Sequence, residues 1–407
     1  MTSDQKILWN CEVCGSTDIS SVLNLGKHPL CDDLVEIGND RRCELFEIEI
    51  ALCQRCLTAH QMHPVPKRQL FPKSYHYRAN LTQDVLKGMK GLVETISESY
   101  GPLSGKTVLD VGCNDGSLLN LFRSQGAKVF GIEPTGAAQD ARDMGIEVLN
   151  DFFDPSSARQ ILVRIGSPDY ITFTNVFAHI ENLAELIESV RILRGSKTRI
   201  VIENHYLGAV ADRFQFDTFY HEHPRTYSAT SFVHVANRLN SLLELVDFPS
   251  RYGGNIRVII GPQSEQNSAE IQNILKRETN ITQKFVEMRR VIAEWQSTRN
   301  ELLKWARSTN GKVYAKAFPG RAAILIHMLG LGNEDIEAIF EQPNSKKIGY
   351  YAPGTRIPIL SDGDLLKLVP KPRRLLNLAW HIGPEIRTYL SGLDAEIECK
   401  DIFPPTP

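Results

Sequence analysis

The sequence predicts an α/β protein in several parts, built around an open and mostly parallel sheet. Three observations carry that expectation. Two Cys-x-x-Cys pairs, "CEVC" (11–14) and "CQRC" (53–56), mark a small metal-binding head. Residues 106–135, "KTVLDVGCNDGSLLNLFRSQGAKVFGIEPT", read as strand, Gly-containing loop, helix and a second strand ending in an acid. Strand and helix patterns then alternate as far as residue 207.

The head comes first. Six of the eight cysteines fall within the first 56 residues, and such clustering in a large chain favours metal over disulfides. Each Cys-x-x-Cys offers two thiolates, so Cys11, Cys14, Cys53 and Cys56 close a tetrahedral site of the kind zinc prefers. Four thiolates leave no open position, which makes the zinc structural. The pairs are 38 residues apart, so a hairpin must be inserted, with "CELFEIEIALC" (43–53) as the strand entering the second knuckle. The alternative is four free buried cysteines. His28, Cys31 and Cys43 stand singly, and the His60/His63 pair is left over once the thiolates fill the site.

In the central part, "TVLDVG" is a buried strand, "SLLNLFRSQG" a helix closed by Gly126, and "KVFGIE" the second strand. The loop carries Asp110, Gly112, Asn114 and Asp115, and ligand belongs at the carboxyl ends of such strands. Glu133, 23 residues after Asp110, suits ribose hydroxyls. Gly112 and Gly116 are spaced GxxxG rather than GxGxxG, and Asp115 would repel a pyrophosphate. An acidic loop suits a cationic amino-acid end, which favours S-adenosylmethionine over NAD. These residues alone leave another nucleotide-binding α/β domain open. Asp151 and Phe152 could hold an adenine by its edge and its face. A strand ending at Asn175 leads to a turn bearing His179.

The run Tyr220-His221-Glu222-His223 packs four proton-capable side chains together. On an ideal strand they would split between two faces, so a loop or bulge must carry them. His-x-His could ligate a metal, and His221 alone reads as a structural histidine bonded to backbone. Residues 265–308 have the periodicity of an amphipathic helix connecting domains, with a dimerising coiled coil as the sharper reading. Strand, turn and helix follow at 311–331, where the turn and Arg321 could hold a phosphate. Arg356, in "APGTRIPIL", is a second diphosphate candidate. Residues 375–390 repeat strand then helix, and the "PPTP" tail is expected to be disordered.

Composition sets outer limits. A chain of 407 residues has room for two or three domains, and 42% hydrophobic with 23% charged residues is ordinary for a globular protein. A net charge of −2 gives no reason to expect nucleic acid or an anionic membrane as partner. "MTSDQKILWN" does not read as a signal peptide, and no apolar run approaches the ~18 residues of a membrane span, so a cytoplasmic location is expected.

Taken in order, "YHYRAN" (75–80), "LDVGCNDGSLL", "FGIEPT", "NVFAHI", "FDTFYHEHPRTYS", "YGGNIRV", "YYAPGTRIPIL" and "LNLAWHIGPEI", behind the paired Cys-x-x-Cys head, resemble the S-adenosylmethionine-dependent sugar C-methyltransferases of deoxysugar pathways. The resemblance spans nearly the whole chain. It implies a zinc-binding domain at 1–72 and a class I methyltransferase domain of Rossmann-like fold at 73–262. A helical connector at 263–309 and a second Rossmann-like α/β domain at 310–407 would complete the chain. It also implies a nucleotide-sugar substrate methylated at carbon 3, beside a 4-keto group. Three segments depart from the family pattern: "YGGN" where the family usually has "HGGS", "PRTYS" after YHEH, and Pro319-Gly320-Arg321 at the C-terminal turn. All three fall where substrate contacts are expected, and Asn255, Arg321 and Arg356 are the candidate substrate ligands.

Methylating a carbon beside a ketone needs a base and a donor to the enolate oxygen. His223 is the expected base and Glu222 the next candidate. Tyr220 can donate to the enolate, while His179, Tyr75 and Tyr77 could reach the same pocket. Two other readings stand beside this one. The first is a methyltransferase of the same architecture acting on oxygen, nitrogen or a non-sugar carbon acid. The second is a non-catalytic zinc-containing binding module. The chain would work as a monomer or a homodimer.

Overall fold

The computed structural model describes residues 10–71, 83–249, 254–262 and 268–403. The head contains β1 (Ile19–Pro29), β2 (Val35–Glu36), β3 (Leu45–Cys53) and β4 (Ala59–Gln61). β1 and β3 pair antiparallel with their ends at Ile19 and Cys53 in register, which is the inserted hairpin the cysteine spacing requires. Alternation in β3 turns Ile48, Ile50 and Leu52 inward.

The central domain adds β5 (Thr107–Val111), β6 (Lys128–Ile132), β7 (Glu147–Leu149), β8 (Tyr170–Thr174), β9 (Arg199–His205), β10 (Arg225–Thr226), β11 (Leu242–Asp247) and β12 (Asn255–Gly261). Seven of these form one sheet in the order β11-β12-β9-β8-β5-β6-β7. β5 to β9 run parallel, and β12 enters antiparallel between β9 and β11. The strand order reverses between β5 and β8, where such a sheet opens a crevice at its carboxyl edge. β10 leaves this sheet and joins the head, giving the order β1-β3-β4-β10.

The C-terminal part contains β13 (Tyr314–Lys316), β14 (Ala338–Glu341), β15 (Tyr350–Tyr351), β16 (Ile359–Ser361), β17 (Arg374–Asn377) and β18 (Glu398–Asp401). Five of them make a wholly parallel sheet, β16-β14-β13-β17-β18, which also reverses order at its centre. β15 pairs with β2 of the head. The fold is therefore the expected one: a Rossmann-like methyltransferase domain between a small head and a second Rossmann-like sheet.

Helical periodicity at 265–308 resolves into Ala269–Arg277, Ile281–Ser297 and Arg299–Ala306 rather than one rod. Phe285, Met288, Ile292, Trp295 and Leu302 are buried in a core shared with Leu23, Ile48 and Ile50 of the head and Ile324, Leu325 and Ile339 of the C-terminal domain. That burial uses the apolar stripe a coiled coil would need, so the connecting-helix reading holds and the coiled-coil reading does not. No helix among the described residues is long and apolar enough to cross a membrane.

Candidate functional site

Two knuckles bring four sulfurs together. Cys11, Cys14, Cys53 and Cys56 offer Sγ atoms all within 4.8 Å of one another, with Cys11–Cys56 at 3.4 Å and Cys14–Cys53 at 3.5 Å. Tetrahedral zinc with bonds of about 2.3 Å needs such spacings. His60 Nε2 lies 3.3 Å from the Cys11 sulfur, whereas His63 turns away to Glu49 at 3.3 Å, so the two histidines do not act as a pair. Cys31 and Cys43 are not in the cluster.

The cofactor candidates line the carboxyl edge of β5, β6 and β8. Asn114 takes a left-handed conformation (φ 49°) and donates its N–H to Glu133 at 3.1 Å; Thr135 N–H reaches the other Glu133 oxygen at 2.9 Å. Asp110 is buried beside them and accepts from Thr172 at 2.6 Å. Burial, then repulsion from Glu133, pushes its carboxyl up to about 7 against the Thr172 bond. Asp115 accepts from Ser117 N (3.1 Å) and Oγ (2.6 Å) at the start of the following helix. Asn175, at φ 55°, ends β8 beside this loop. Asp151 is exposed at the end of β7 and Phe152 lies under the Lys67 ammonium at 4.8 Å.

YHEH sits on a turn, closed by His223 N–H to Tyr220 carbonyl at 2.9 Å. That turn stacks Tyr220 and His223, ring centroids 4.2 Å apart. His223 also meets His179 at 4.8 Å and His205 at 5.3 Å. Carbonyls only accept, so His223 Nδ1 donates to Thr218 O (2.9 Å) and His179 Nδ1 to Glu222 O (2.7 Å). Each ring thereby keeps its lone pair on Nε2. Burial, then the neighbouring imidazoles, holds His223 well below the usual histidine range, and burial lowers His179 too. Burial, then the Glu222 carboxylate, pushes the Tyr220 hydroxyl up and keeps it a donor. His221 points elsewhere, bonding Phe46 O at 3.1 Å, so it is scaffolding. His221 and His223 belong to no ligand cluster among the described residues, and the His-x-His metal reading is dropped.

The substrate-side candidates make contacts within the protein. "PRTYS" clamps the methyltransferase domain to the head. Arg225 and Thr226 are β10, paired with His60 and Ala59 of the head. The Arg225 guanidinium is buried against Glu12, Tyr227 Oη and the Ile180 and Glu181 carbonyls. Arg321 turns to buried Asp217, from Nε at 2.8 Å and Nη2 at 2.5 Å. Arg356 bonds the Asn39 and Arg41 carbonyls of the head, at 2.6 and 3.1 Å. Asn255 is buried at the start of β12, opposite His205 and 3.4 Å from Glu203. Tyr75, Tyr77 and Tyr252 lie outside the described residues.

Comparison with known proteins follows the same three parts. Residues 11–71 match a family described as a zinc binding domain, 81–241 one described as a methyltransferase domain, and 250–397 one described as a C-methyltransferase C-terminal domain. The chain is 29% identical to the C-methyltransferase NovU of Streptomyces niveus over 92% of this chain and 90% of that one. The chain is an S-adenosylmethionine-dependent methyltransferase.

A shorter match, 30% identical, joins 24% of this methyltransferase to 43% of the ubiquinone biosynthesis O-methyltransferase of Paraburkholderia xenovorans. Among solved structures, magnesium protoporphyrin IX methyltransferase from Synechocystis PCC 6803 with bound SAH superposes with a TM-score of 0.35 at 14% identity, covering 44% of this chain and 84% of that one. The cofactor edge of the methyltransferase fits S-adenosylmethionine by chemistry. Asp110, Asp115 and Glu133 crowd negative charge there, with no lysine or arginine among residues 110–117, so the edge suits a cation. The loop is also tight: a Cβ on Gly112 (φ 69°) would stand 2.5 Å from a Val176 methyl. When bound, S-adenosylmethionine supplies an electrophilic methyl group.

Sequence reasoning missed His205, His381 and Asp217. His205 ends β9 and meets His223; His381, near Arg321 and His205, follows β17 of the C-terminal domain. Each lies at a strand's carboxyl end, which is the signal that could have found His205 and His381. Nothing in the sequence marks Asp217 apart from its place before YHEH.

Proposed function

We propose that this chain methylates a carbon next to a ketone in a nucleotide-linked deoxy sugar, at carbon 3 of a 4-keto sugar, after removing a proton to give an enolate. The supporting observation is the turn that gathers His223, Tyr220 and Glu222 against His179, beside the cofactor edge. His223 offers a neutral imidazole whose Nε2 lone pair can take the α-proton. Tyr220, held protonated, can donate to the growing enolate oxygen. Glu222 is the second candidate base. The motif resemblance to sugar C-methyltransferases supplies the substrate class.

Deuterium exchange tests this reading. With S-adenosylhomocysteine in place of the methyl donor, the enzyme in deuterated water should wash deuterium into the carbon beside the ketone of a 4-keto nucleotide sugar. His223→Gln should stop the exchange and still bind S-adenosylhomocysteine. Exchange at the native rate in that variant would move the base to Glu222. No exchange in the native enzyme, with methyl transfer to oxygen or nitrogen instead, would overturn the reading.

A further inference from the structure

One buried carboxylate stands next to the carbonyl that fixes His223. Asp217 is the middle residue of the short turn Phe216–Thr218 and is fully buried. It accepts Arg321 Nε at 2.8 Å, Arg321 Nη2 at 2.5 Å and Trp380 Nε1 at 2.8 Å. All three donors come from the C-terminal domain, Arg321 from the turn after β13 and Trp380 from the turn after β17. These two turns lie at the point where that sheet reverses its order. Thr218, the next residue, gives its carbonyl to His223 Nδ1 at 2.9 Å.

We propose that Asp217 is a positioning residue. Docked on Arg321 and Trp380, it holds the Thr218 carbonyl so that His223 keeps its proton on Nδ1 and its lone pair on Nε2. The C-terminal domain thereby sets the state of the base. This rests on the reading of His223 as the base. Phe216 and Phe219 anchor the turn in the core, and Gln61 of the head bonds the Phe219 carbonyl at 3.1 Å. The bonds of Thr218 N and Oγ1 are local, both to the Gln215 carbonyl, at 3.0 and 2.7 Å, so the ion pair at Asp217 is the charged tie on the residue beside it. Charge-assisted bonds are the strong ones, and here three donors converge on one buried carboxylate. If the carbonyl swings away, His223 loses the partner that selects its tautomer. The other groups facing His223 do not replace it. His179 comes from the turn after β8, His205 from β9, Tyr220 and Glu222 from its own turn, and Arg321 from the C-terminal domain. Arg321, like the imidazoles, opposes a charge on His223.

The test uses Asp217→Asn, which keeps the size of the side chain, with Asp217→Ala as the stronger lesion and Arg321→Lys as the conservative one. In 15N spectra of the histidine-labelled native protein, His223 should show a single Nδ1–H tautomer, and Asp217→Asn should turn it into a mixture. kcat and deuterium exchange should fall about a hundredfold, as for a slightly misplaced catalytic group, while KM and S-adenosylhomocysteine binding stay near native. Arg321→Lys, which keeps the charge but loses the fork, should fall between the two. If Asp217→Ala does not fold, Asp217→Asn still decides. An unchanged tautomer in Asp217→Asn overturns the proposal, whether kcat is native or has dropped along with the melting temperature. The tautomer measurement needs no substrate, so it stands apart from the sugar reading. If the native enzyme washes in no deuterium, the base assignment fails, and the spectra still tell whether Asp217 controls the ring.

Discussion

The four cysteines of the head and the histidines around the YHEH turn are both dense groups of proton-binding side chains, but only the first is a metal site. The difference lies in what each side chain does with its second atom. A thiolate has one ligating atom, and here the sulfurs face one another, with His60 Nε2 3.3 Å from Cys11 and Thr58 Oγ1 3.0 Å from Cys56. Four such sulfurs within 4.8 Å of one another crowd their negative charge together. A divalent cation removes that conflict. The imidazoles spend one nitrogen each on a backbone carbonyl: His28 on Leu25, His179 on Glu222, His221 on Phe46 and His223 on Thr218. They are neutral, with their tautomers set. In the proposed reaction the His223 ring serves proton transfer and the His221 ring is scaffolding, whereas the crowded thiolates serve structure.

Zinc removal is the largest break that can be made in this comparison. Structural zinc is worth about 10 kcal/mol or more in small zinc peptides. Here the knuckles also pack in the methyltransferase core with Phe232 and Tyr227. A strong chelator, or Cys56→Ser, should therefore cost the cooperative fold of the whole chain, followed by circular dichroism and by zinc content. A chelated chain that melts as before would show that the thiols hold no structural ion. His223→Gln breaks the other half. It should lower kcat by about 10²–10⁴-fold, the range for a lost general base, and leave one zinc per chain and the melting temperature close to native.

How far the sequence showed this in advance differs between the two clusters for the same reason. Paired Cys-x-x-Cys is a local signal with one use, so Cys11, Cys14, Cys53 and Cys56 could be read directly. The βαβ segment was as plain, since Gly112 and Glu133 are set by short-range geometry. YHEH announced proton chemistry, but its neighbours arrive from the turn after β8, from β9 and from the C-terminal domain, across about a hundred residues in the case of Arg321. Single-sequence periodicity carries no information about such meetings. Arg321 shows a related limit. A basic residue in a loop suggests an anionic ligand, yet the anion beside Arg321 here is Asp217 of the same chain.

pH separates the clusters more gently. Burial holds His223 below the ordinary 6.5, so its Nε2 lone pair is available through the neutral range. kcat should be flat from pH 8 down past 6.5 and fall only at lower pH, where the imidazole protonates. Loss of activity centred above 6.5 would contradict a base in this environment. Tyr220→Phe should leave the position of that limb alone and lower kcat by about tenfold to a hundredfold, the effect of losing one donor to developing charge. A Tyr220→Phe variant with native kcat would remove Tyr220 from the proposed role.

The smallest effect is also the sharpest on the scaffolding side. Burial lowers His221 to about 4, against 6.5 unfolded, with the Phe46 bond opposing. A histidine depressed on folding contributes fully above pH 6.5. Below that the unfolded chain takes up a proton that the folded chain refuses, so the stability is lost as pH falls towards 4. One pH unit below 6.5 this amounts to about 1.4 kcal/mol. His221→Gln should be less stable by about 1 kcal/mol at pH 7.5, for the lost bond to Phe46, and should lose about 1.4 kcal/mol less than the native chain between pH 7.5 and 5.5. Urea unfolding at the two pH values, with zinc content checked in each, measures the difference. Equal acid sensitivity in both chains would mean that His221 is already charged in the fold and does not share the neutral state assigned to its neighbours. Its Nε2 bond to a carbonyl would then be common to both ring charges and would say nothing about burial.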